Sequence, residues 1–311
     1  MTWPSPPGTA LTEGPLSPEL ATAVEELAAI ATRADGVAPL AEDVLLQVRH
    51  GGGAQARDLT LTSGGVLAGY AHLDAPDEEA PGGDVSGELV VHPGHRRRGY
   101  GTALSSALLA GAGGTGVRLW AHGELPGAVG LAKTAGFTRF RALWQMRMPL
   151  AAVPAGAPSL PPGVTIRTFR PGSDEDAWLA VNHRAFAHHP EQGGWTMADL
   201  RLREAEPWFD PAGFFLAERD GRLAGFHWTK VHPDGGEGGA PIGEVYVVGV
   251  DPGQQGGGLG RALTLVGLAH LRRLGLADVM LYVDEDNTAA VRLYTALGFS
   301  RWLTDAMYRH S

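Results

Sequence analysis

The sequence predicts a mixed α/β fold that occurs twice along the chain. A glycine-rich loop stands at 91–101 (VHPGHRRRGYG) and again at 250–260 (VDPGQQGGGLG). Each copy follows an apolar, strand-like run and leads into an Ala/Leu-rich helical segment. Because strands that alternate with helices pack in layers, the doubled pattern favours two α/β domains of the same architecture.

Two further pairs of segments repeat in the same order and at nearly the same separation. LAGYAHLD (67–74) matches LAGFHWTK (223–230), and AKTAGF (132–137) matches YTALGF (294–299). The runs GELVV and GEVYVV lead into the two loops. Since several separate motifs keep their order, an internal duplication explains them better than chance similarity of glycine-rich strings.

A segment without charged residues, AAVPAGAPSLPPG at 151–163, separates the two copies. Its four prolines are typical of an extended, semi-rigid linker. This linker predicts an N-terminal domain over 1–150 and a C-terminal domain over 164–311.

Hydrophobic periodicity and capping signals predict the elements of the second half in order. Strands such as GEVYVVGV and VMLYV are apolar and β-branched, which indicates a central sheet covered on both faces. The expected helices lie near 173–187, 196–204, 259–274 and 287–296, and the expected strands near 164–169, 213–219, 222–231, 243–250, 278–283 and 299–308.

Composition narrows the class of protein. The 311 residues have a net charge of −9, which argues against general nucleic-acid binding. The chain has no cysteine, which excludes disulfides, thiolate catalysis and cysteine–zinc sites.

The start of the sequence does not resemble a signal peptide and no run of about 18 apolar residues occurs, so we expect a soluble cytoplasmic protein. The adjacent His188 and His189 have no third ligand at a recognisable spacing, so no metal is expected.

Each glycine loop is suited to bind an anion. A strand, a glycine turn and a helix N-terminus present backbone N–H groups, and the helix dipole favours negative charge. Glycine allows close approach of the chain and positive φ. The first loop carries three arginines and is the electrostatically stronger cradle, whereas the second relies on its backbone.

The order of motifs resembles the GNAT acetyltransferase superfamily. The resemblance rests on the [Gln/Arg]-x-x-Gly-x-Gly loop after a strand, the next strand, and NTAAVRLYTALGF at 287–299. The tandem layout, with ADGVAPL (34–40), AFAHHPEQGGWT (185–196), WFDP (208–211) and GFHWTKVHPD (225–234), is similar to the tandem GNAT enzymes of mycothiol biosynthesis. That similarity extends over almost the whole chain.

The resemblance implies two tandem GNAT domains that use acetyl-CoA as co-substrate. It implies acetylation of a small-molecule amine, the cysteinyl amine of cysteinyl-glucosaminyl-inositol, by direct transfer in a ternary complex. Direct transfer needs a neutral amine, a donor for the oxyanion and a proton for the leaving thiolate, and it needs no enzyme nucleophile. The absence of cysteine agrees with this chemistry.

The resemblance also implies roles for particular residues. Glu244 opens the strand before the second loop and is expected to act as general base. Tyr294 lies about two helical turns after Asn287, on the same face, and is expected to act as general acid. The first half has Glu88 in the place of Glu244 but Ala132 in the place of Tyr294. The second half is therefore predicted to be the catalytic one.

Binding residues complete the implied site. For the acceptor, the resemblance indicates Glu42, Glu191, Lys230, Glu244 and Tyr282. For acetyl-CoA in the second half, it indicates Val248, Gly249, Val250, Gln255, Gly256, Gly257, Gly258, Leu259, Gly260, Arg261, Asn287, Thr288, Ala289, Ala290, Val291 and Arg292. The matching residues of the first half are Leu89, Val90, Val91, Arg96, Arg97, Arg98, Gly99, Tyr100 and Gly101.

Several alternatives stay open at the level of sequence. The acceptor could be another amine, such as an aminoglycoside or a protein N-terminus, or the chain could be a non-catalytic module that senses acyl-CoA. The first half could hold acetyl-CoA without catalysis, or its loop could be vestigial. A monomer is expected because two fused copies already imitate a dimer.

Overall fold

The computed structural model describes residues 6–51, 56–75, 83–154, 158–236 and 239–311, without the side chains of Pro190 and Glu191. Contacts divide the chain into two compact units. Unit 1 comprises Met1–Leu143 together with Leu303–Ser311, and unit 2 comprises Trp144–Trp302. Each unit is a mixed α/β layer structure, which confirms the predicted fold class.

Unit 1 is built on a sheet in which β4 and β5 pair in parallel, whereas β1 with β2, β2 with β3, β3 with β4, and β5 with β12 pair antiparallel. One face packs against α3 and the other against α1 and α2. Its helices are α1 Pro18–Asp35, α2 Glu42–His50, α3 Tyr100–Gly111 and α4 Pro126–Thr134. Its strands are β1 Thr9–Glu13, β2 Arg57–Ser63, β3 Val66–Leu73, β4 Val85–Val91, β5 Val117–Ala121 and the first part of β6 Thr138–Pro149.

Unit 2 repeats this plan, with β10 and β11 as the parallel pair. One face of its sheet packs against α8 and α9, and the other carries an aromatic cluster under α5 and α7. Its helices are α5 Glu175–Ala185, α6 Pro190–Gly193, α7 Met197–Glu204, α8 Leu259–Arg273 and α9 Thr288–Leu297. Its strands are the second part of β6, then β7 Val164–Thr168, β8 Phe214–Arg219, β9 Arg222–His232, β10 Ile242–Val250, β11 Asp278–Asp284 and the start of β12 Ser300–His310.

The last strand of the chain belongs mainly to unit 1. Ala306–His310 of β12 pair antiparallel with Val117–Ala121 of β5. In unit 2 the neighbour of β11 is β6, which follows α4 in the sequence. The boundary between the units therefore lies inside β6, between Leu143 and Trp144, and differs from the predicted boundaries of 1–150 and 164–311.

The start of the predicted linker is packed rather than extended. Leu150 is fully buried and Val153 is 4% exposed, both in the core of unit 2. The N–H of Leu150 donates to the carbonyl of Ala277 (2.7 Å), and Arg272 donates to the carbonyl of Val153 (2.8 Å). Burial of these two apolar side chains holds this part of 151–163 against unit 2, while residues 155–157 lie outside the described part.

The expected elements of the second half agree with the observed ones to within about two residues at each end. Local signals account for this agreement. Thr196 and Asp199 form a capping box at α7, and Asn287 caps α9, which ends at Gly298 in the left-handed conformation. In the part of the chain that the structure describes, no helix has both the length and the apolar character to cross a membrane.

Candidate active site

The strands β10 and β11 part in the middle of unit 2. Their parallel pairing covers Gly243–Val245 with Val279–Leu281, whereas β9 continues to pair with β10 as far as Val250. A β-bulge lies between Val245 and Val247, where the pairing with β11 stops. The edge of β10 beyond the bulge therefore faces an opening, along which an extended ligand can hydrogen-bond as an added strand. The predicted residues Val248, Gly249 and Val250 lie on this edge.

The glycine loop follows that edge directly. Gly256 has φ 84° and Gly258 has φ 78°, the left-handed conformation that favours glycine. Gly258 is the N-cap of α8 and provides no side chain, so the first amides of the helix remain available to an anion. A Cβ atom placed on Gly256, Gly257 or Gly258 would meet nothing within 4 Å, which leaves room for a ligand.

The remaining predicted loop residues have distinct positions. The side-chain amide of Gln255 donates to the carbonyl of Val250 (3.3 Å) and closes the loop onto the strand. Leu259 is buried at 1% exposure, so its backbone rather than its side chain can face a ligand. Gly260 and the exposed Arg261 belong to the first turn of α8.

Glu244 lies at the opposite end of the same strand, before the bulge. It is 7% exposed, and its Oε2 lies 2.6 Å from Nε2 of His232. A carboxylate beside an opening, with one oxygen held by an imidazole, can accept a proton from an amine that enters there.

Lys230 stands directly opposite Glu244 in the register of β9 and β10. It is 8% exposed, and its Nζ lies 4.2 Å from the ring centroid of Trp208 and 5.1 Å from that of Tyr246. Aromatic faces stabilise a cation that has lost much of its water. The structure therefore brings together Glu244 and Lys230 of the predicted acceptor set.

Tyr294 lies on α9 and is 7% exposed. Its ring packs against Phe299 with centroids 5.8 Å apart, in a cluster that also contains Val245. Burial raises the pKa of the Tyr294 phenol to about 12. The group is therefore fully protonated at neutral pH and can donate a proton.

The first turns of α9 contain the other predicted cofactor residues of this half. The Oδ1 of Asn287 accepts a hydrogen bond from the N–H of Ala290 (3.1 Å) and so caps the helix. Ala290 and Val291 are partly buried against the core. The exposed members of the segment are Asn287, Thr288, Ala289 and Arg292.

Three predicted acceptor residues are not placed next to Glu244 by any described contact. Tyr282 is 41% exposed on β11, and its hydroxyl accepts a hydrogen bond from Gln145 (2.8 Å). Glu42 is the first residue of α2 in unit 1. The backbone of Glu191 lies in α6, but its side chain is outside the described part of the structure.

Unit 1 has a corresponding cavity of about 640 Å³ between β4, the first glycine loop, β5 and α4. Most of the residues predicted for this half line it, namely Leu89, Val90, Val91, Arg96, Arg97, Gly99, Tyr100 and Gly101. Arg98 is exposed on the same loop. The predicted arginine-rich cradle therefore borders a volume that can hold a ligand.

The arginines of this cradle are not equivalent. The Arg96 guanidinium donates to both carboxylate oxygens of Asp35 (2.7 and 2.6 Å), an ion pair that raises the pKa of Arg96. Arg96 is therefore already neutralised, contrary to the expectation of three arginines acting together on an anion. Arg97 has φ 63°, in the place where unit 2 has Gly256.

Glu88, the counterpart of Glu244, is 3% exposed and has partners on both oxygens. Its Oε2 accepts from the N–H of Ala41 (2.6 Å), and its Oε1 lies 3.0 Å from Nε2 of His122. The other nitrogen of His122 lies 3.2 Å from Asp305 on β12. Although burial opposes it, the two carboxylates raise the pKa of His122 to about 10, so the ring is an imidazolium at neutral pH.

Sequence reasoning missed the partners of both glutamates. His122 and Asp305 are separated by 183 residues, and no local pattern relates them. His232 was visible as a histidine two residues after Lys230, on the same face of a strand, and this alternation is the one signal that could have suggested it.

Comparison with protein families matches two regions of the chain, residues 33–137 and 178–299, to the acetyltransferase (GNAT) family. A mycothiol acetyltransferase of Thermobispora bispora is 63% identical over 92% of this chain and 95% of its own length. The corresponding protein of Streptomyces avermitilis is 56% identical over 99% of this chain and 97% of its own length.

Solved structures agree with the fold. A tandem GNAT protein from the clavulanic acid biosynthesis pathway has a TM-score of 0.73 at 22% identity, covering 96% of this chain and 98% of its own. A GCN5-related N-acetyltransferase from Sphaerobacter thermophilus has a TM-score of 0.68 at 26% identity, covering 96% and 95%. With two GNAT regions and close relatives along nearly its whole length, the chain belongs to the mycothiol acetyltransferase family of tandem GNAT acetyltransferases.

Proposed function

We propose that unit 2 transfers the acetyl group of acetyl-CoA to the cysteinyl amine of cysteinyl-glucosaminyl-inositol, giving mycothiol. The observation that carries this proposal is the full-length similarity to mycothiol acetyltransferases, at 63% identity in one case. The site in unit 2 supplies the groups that such a transfer needs, a carboxylate at an opening in the sheet and a protonated phenol on α9.

The backbone of unit 2 suits the co-substrate. The free edge of β10 at Val248–Val250 would hold the pantetheine arm, and the amides of Gln255–Gly260 would hold the pyrophosphate. Arg261 and the start of α9, from Asn287 to Arg292, would contact the same co-substrate. Acetyl-CoA supplies the thioester, and the residues of the chain bind it and move protons.

Glu244 takes a proton from the substrate ammonium, so that an N–H bond breaks and an O–H bond forms. The neutral amine then forms a C–N bond with the thioester carbonyl, and the C–S bond breaks as the tetrahedral intermediate collapses. The nitrogen releases its second proton to solvent, and Glu244 likewise returns the proton it accepted. Tyr294 donates its phenolic proton to the departing thiolate and regains one from solvent. Because the pKa of Tyr294 is about 12, the phenol is protonated whenever it is needed.

Lys230 would donate to the hydroxyl groups of the acceptor, next to Glu244. Glu42, Glu191 and Tyr282 remain predictions for the same acceptor. Carboxylates suit a substrate that carries an ammonium group and many hydroxyls, because ionised oxygens accept charge-assisted hydrogen bonds.

Unit 1 would bind acetyl-CoA without transferring its acetyl group. Its cavity of about 640 Å³ follows the glycine loop, as expected for a bound cofactor. However, both oxygens of Glu88 already have partners, and Ala132 stands where unit 2 has Tyr294. This unit therefore lacks a free base and the acid.

The full-length protein, acetyl-CoA and cysteinyl-glucosaminyl-inositol should release free CoA thiol, which a thiol reagent detects. Glu244→Gln should lower kcat by roughly 100-fold or more, since it removes the general base. A panel with an aminoglycoside and a peptide N-terminus tests the acceptor. Good turnover of one of those amines, without turnover of the cysteinyl amine, would contradict the proposed acceptor.

A further inference from the structure

Three titratable side chains project from one face of the sheet at the closed end of the opening in unit 2. Lys230 pairs with Glu244, and His232 pairs with Ile242, two residues before Glu244. Since alternate residues of a strand share a face, Lys230, His232 and Glu244 lie on the same side. His232 is the last residue of β9 and is diagonal to Glu244.

The contact between His232 and Glu244 is short. Nε2 of His232 lies 2.6 Å from Oε2 of Glu244, whose side chain is 9% exposed, whereas that of His232 is 27% exposed. A carboxylate with so little access to water needs a donor, and a charge-assisted bond of this length fixes its direction. When Glu244 is ionised, Nε2 carries the proton.

The partners of Glu244 differ from those of Glu88 in one respect that matters for catalysis. Glu88 is held on both oxygens, by Ala41 and by His122. The described hydrogen bond of Glu244 engages Oε2, through His232. Among the residues that the structure describes, one lateral donor therefore holds the carboxylate and leaves Oε1 for the proton of an incoming amine.

We propose that His232 is a positioning residue for Glu244, and that its N–H donation to Oε2 holds the carboxylate in the orientation in which Oε1 takes the proton from the acceptor amine. This inference rests on the proposed role of Glu244 as base. His232 itself touches neither reactant. Its contribution is to keep the carboxylate correctly directed, because a small displacement of a reacting group costs much of the rate.

Two substitutions separate hydrogen-bond donation from packing. In His232→Gln the side-chain amide can donate from nearly the position of Nε2, whereas His232→Leu retains bulk without a donor. We expect His232→Leu to lower kcat roughly 10- to 100-fold, with the KM for acetyl-CoA within about twofold of the original. His232→Gln should recover most of the rate, to within about fivefold of the unmodified protein.

A matched control replaces a histidine at another strand end. His310 ends β12 in unit 1 and packs edge-on against Phe137, with ring centroids 5.3 Å apart. His310→Leu should therefore leave kcat unchanged. Circular dichroism and thermal unfolding of all three variants establish that they fold.

The rates are measured with whichever amine the unmodified protein acetylates best, so the inference can fail separately from the proposed acceptor. An unchanged kcat in His232→Leu would overturn the inference. Equal losses in folded His232→Gln and His232→Leu would also overturn it, because donation to Oε2 would then not be the property that matters. Loss in His232→Leu with recovery in His232→Gln supports it.

Discussion

Glu88 and Glu244 occupy the same place in two copies of one fold, yet their surroundings differ. Glu88 is enclosed by the N–H of Ala41 and by an imidazolium, His122, that also contacts Asp305. Glu244 lies beside an opening and has a histidine on one oxygen. The position of a carboxylate in a duplicated fold therefore does not determine its chemistry, because its hydrogen-bond donors decide whether it can accept a proton.

The same difference extends along the two strands. β10 has a bulge between Val245 and Val247, whereas β4 pairs with β3 from Gly87 to Val91 without a shift in register. A bulge redirects side chains and alters local twist. Unit 1 therefore combines a regular strand with a carboxylate, Glu88, whose two oxygens both have hydrogen-bond partners. Unit 2 combines a bulged strand with a carboxylate, Glu244, whose described hydrogen bond engages one oxygen.

The largest expected effect concerns the segment that completes unit 1. Deletion of Leu303–Ser311 removes the strand beside β5, with the buried residues Ala306 and Met307 and the partner of His122. We expect unit 1 to lose cooperative folding, because burying each large side chain contributes about 1.5–3 kcal/mol. Hydrogen exchange resolved by peptide should show the loss in unit 1. Protection of β4 and β5 at the level of the full chain would contradict it, and Asp305→Asn serves as the full-length control.

The next largest effect concerns α9, which carries Tyr294 where α4 of unit 1 carries Ala132. Tyr294→Phe keeps the ring that packs on Phe299 but removes the proton donor. We expect kcat to fall by about 10- to 100-fold with little change in acetyl-CoA affinity. Steady-state kinetics and a binding titration measure both quantities. A nearly normal kcat would mean that water protonates the thiolate, and Ala132→Tyr in unit 1 should add no activity.

Opposite responses to pH should separate the stabilities of the units. In unit 1, burial lowers the pKa of His72, but Asp58 and Asp74 outweigh it and raise that pKa to about 9. The pKa of His122 is likewise raised, to about 10. These two histidines contribute their full stabilisation of unit 1 below pH 6.5, which is about their pKa in the unfolded chain. The contribution is lost as the pH rises toward 9–10. In unit 2, burial lowers the pKa of His227 to about 4, so stability is lost as pH falls from 6.5 to 4.

Hydrogen exchange at several pH values measures these two trends in the same sample. Each should change the free energy of unfolding by at least about 1 kcal/mol, because one pKa unit corresponds to about 1.4 kcal/mol. If the stability of both units changed in the same direction with pH, the protonated His72 and His122 would not stabilise unit 1 as described. The variant His72→Gln should flatten the alkaline trend of unit 1.

The smallest effect concerns the left-handed position of the two loops. Arg97 adopts φ 63° where unit 2 has Gly256 at φ 84°. Arg97→Gly should stabilise unit 1 by about 0.5–1 kcal/mol through relief of this conformation, and should weaken anion binding there through loss of a charge. Thermal unfolding and an acetyl-CoA titration would show the two opposed changes. A fall in stability would indicate that the Arg97 side chain contributes contacts that outweigh the backbone cost.

Much of the fold was predictable because its signals are local. The helices and strands of the second half follow from periodicity and from caps such as Thr196 and Asn287, and the glycine loop and Glu244 lie within single motifs. The membership of β12 in unit 1 was not predictable, since β6 and β12 both mix apolar with charged residues and a strand pattern does not specify its partner. The pairs Arg96–Asp35 and His122–Asp305 likewise form only in the folded chain, across 61 and 183 residues.

The position of β12 has a consequence for how the protein is made. A ribosome synthesises unit 1 almost completely before it begins unit 2, and N-terminal domains usually fold as they emerge. Here β5 acquires its neighbour Ala306–His310 only after all of unit 2 has been translated. We therefore expect the cavity of unit 1 to form after the site of unit 2. An incomplete chain should leave the edge of β5 exposed, which favours aggregation or degradation before cofactor can bind.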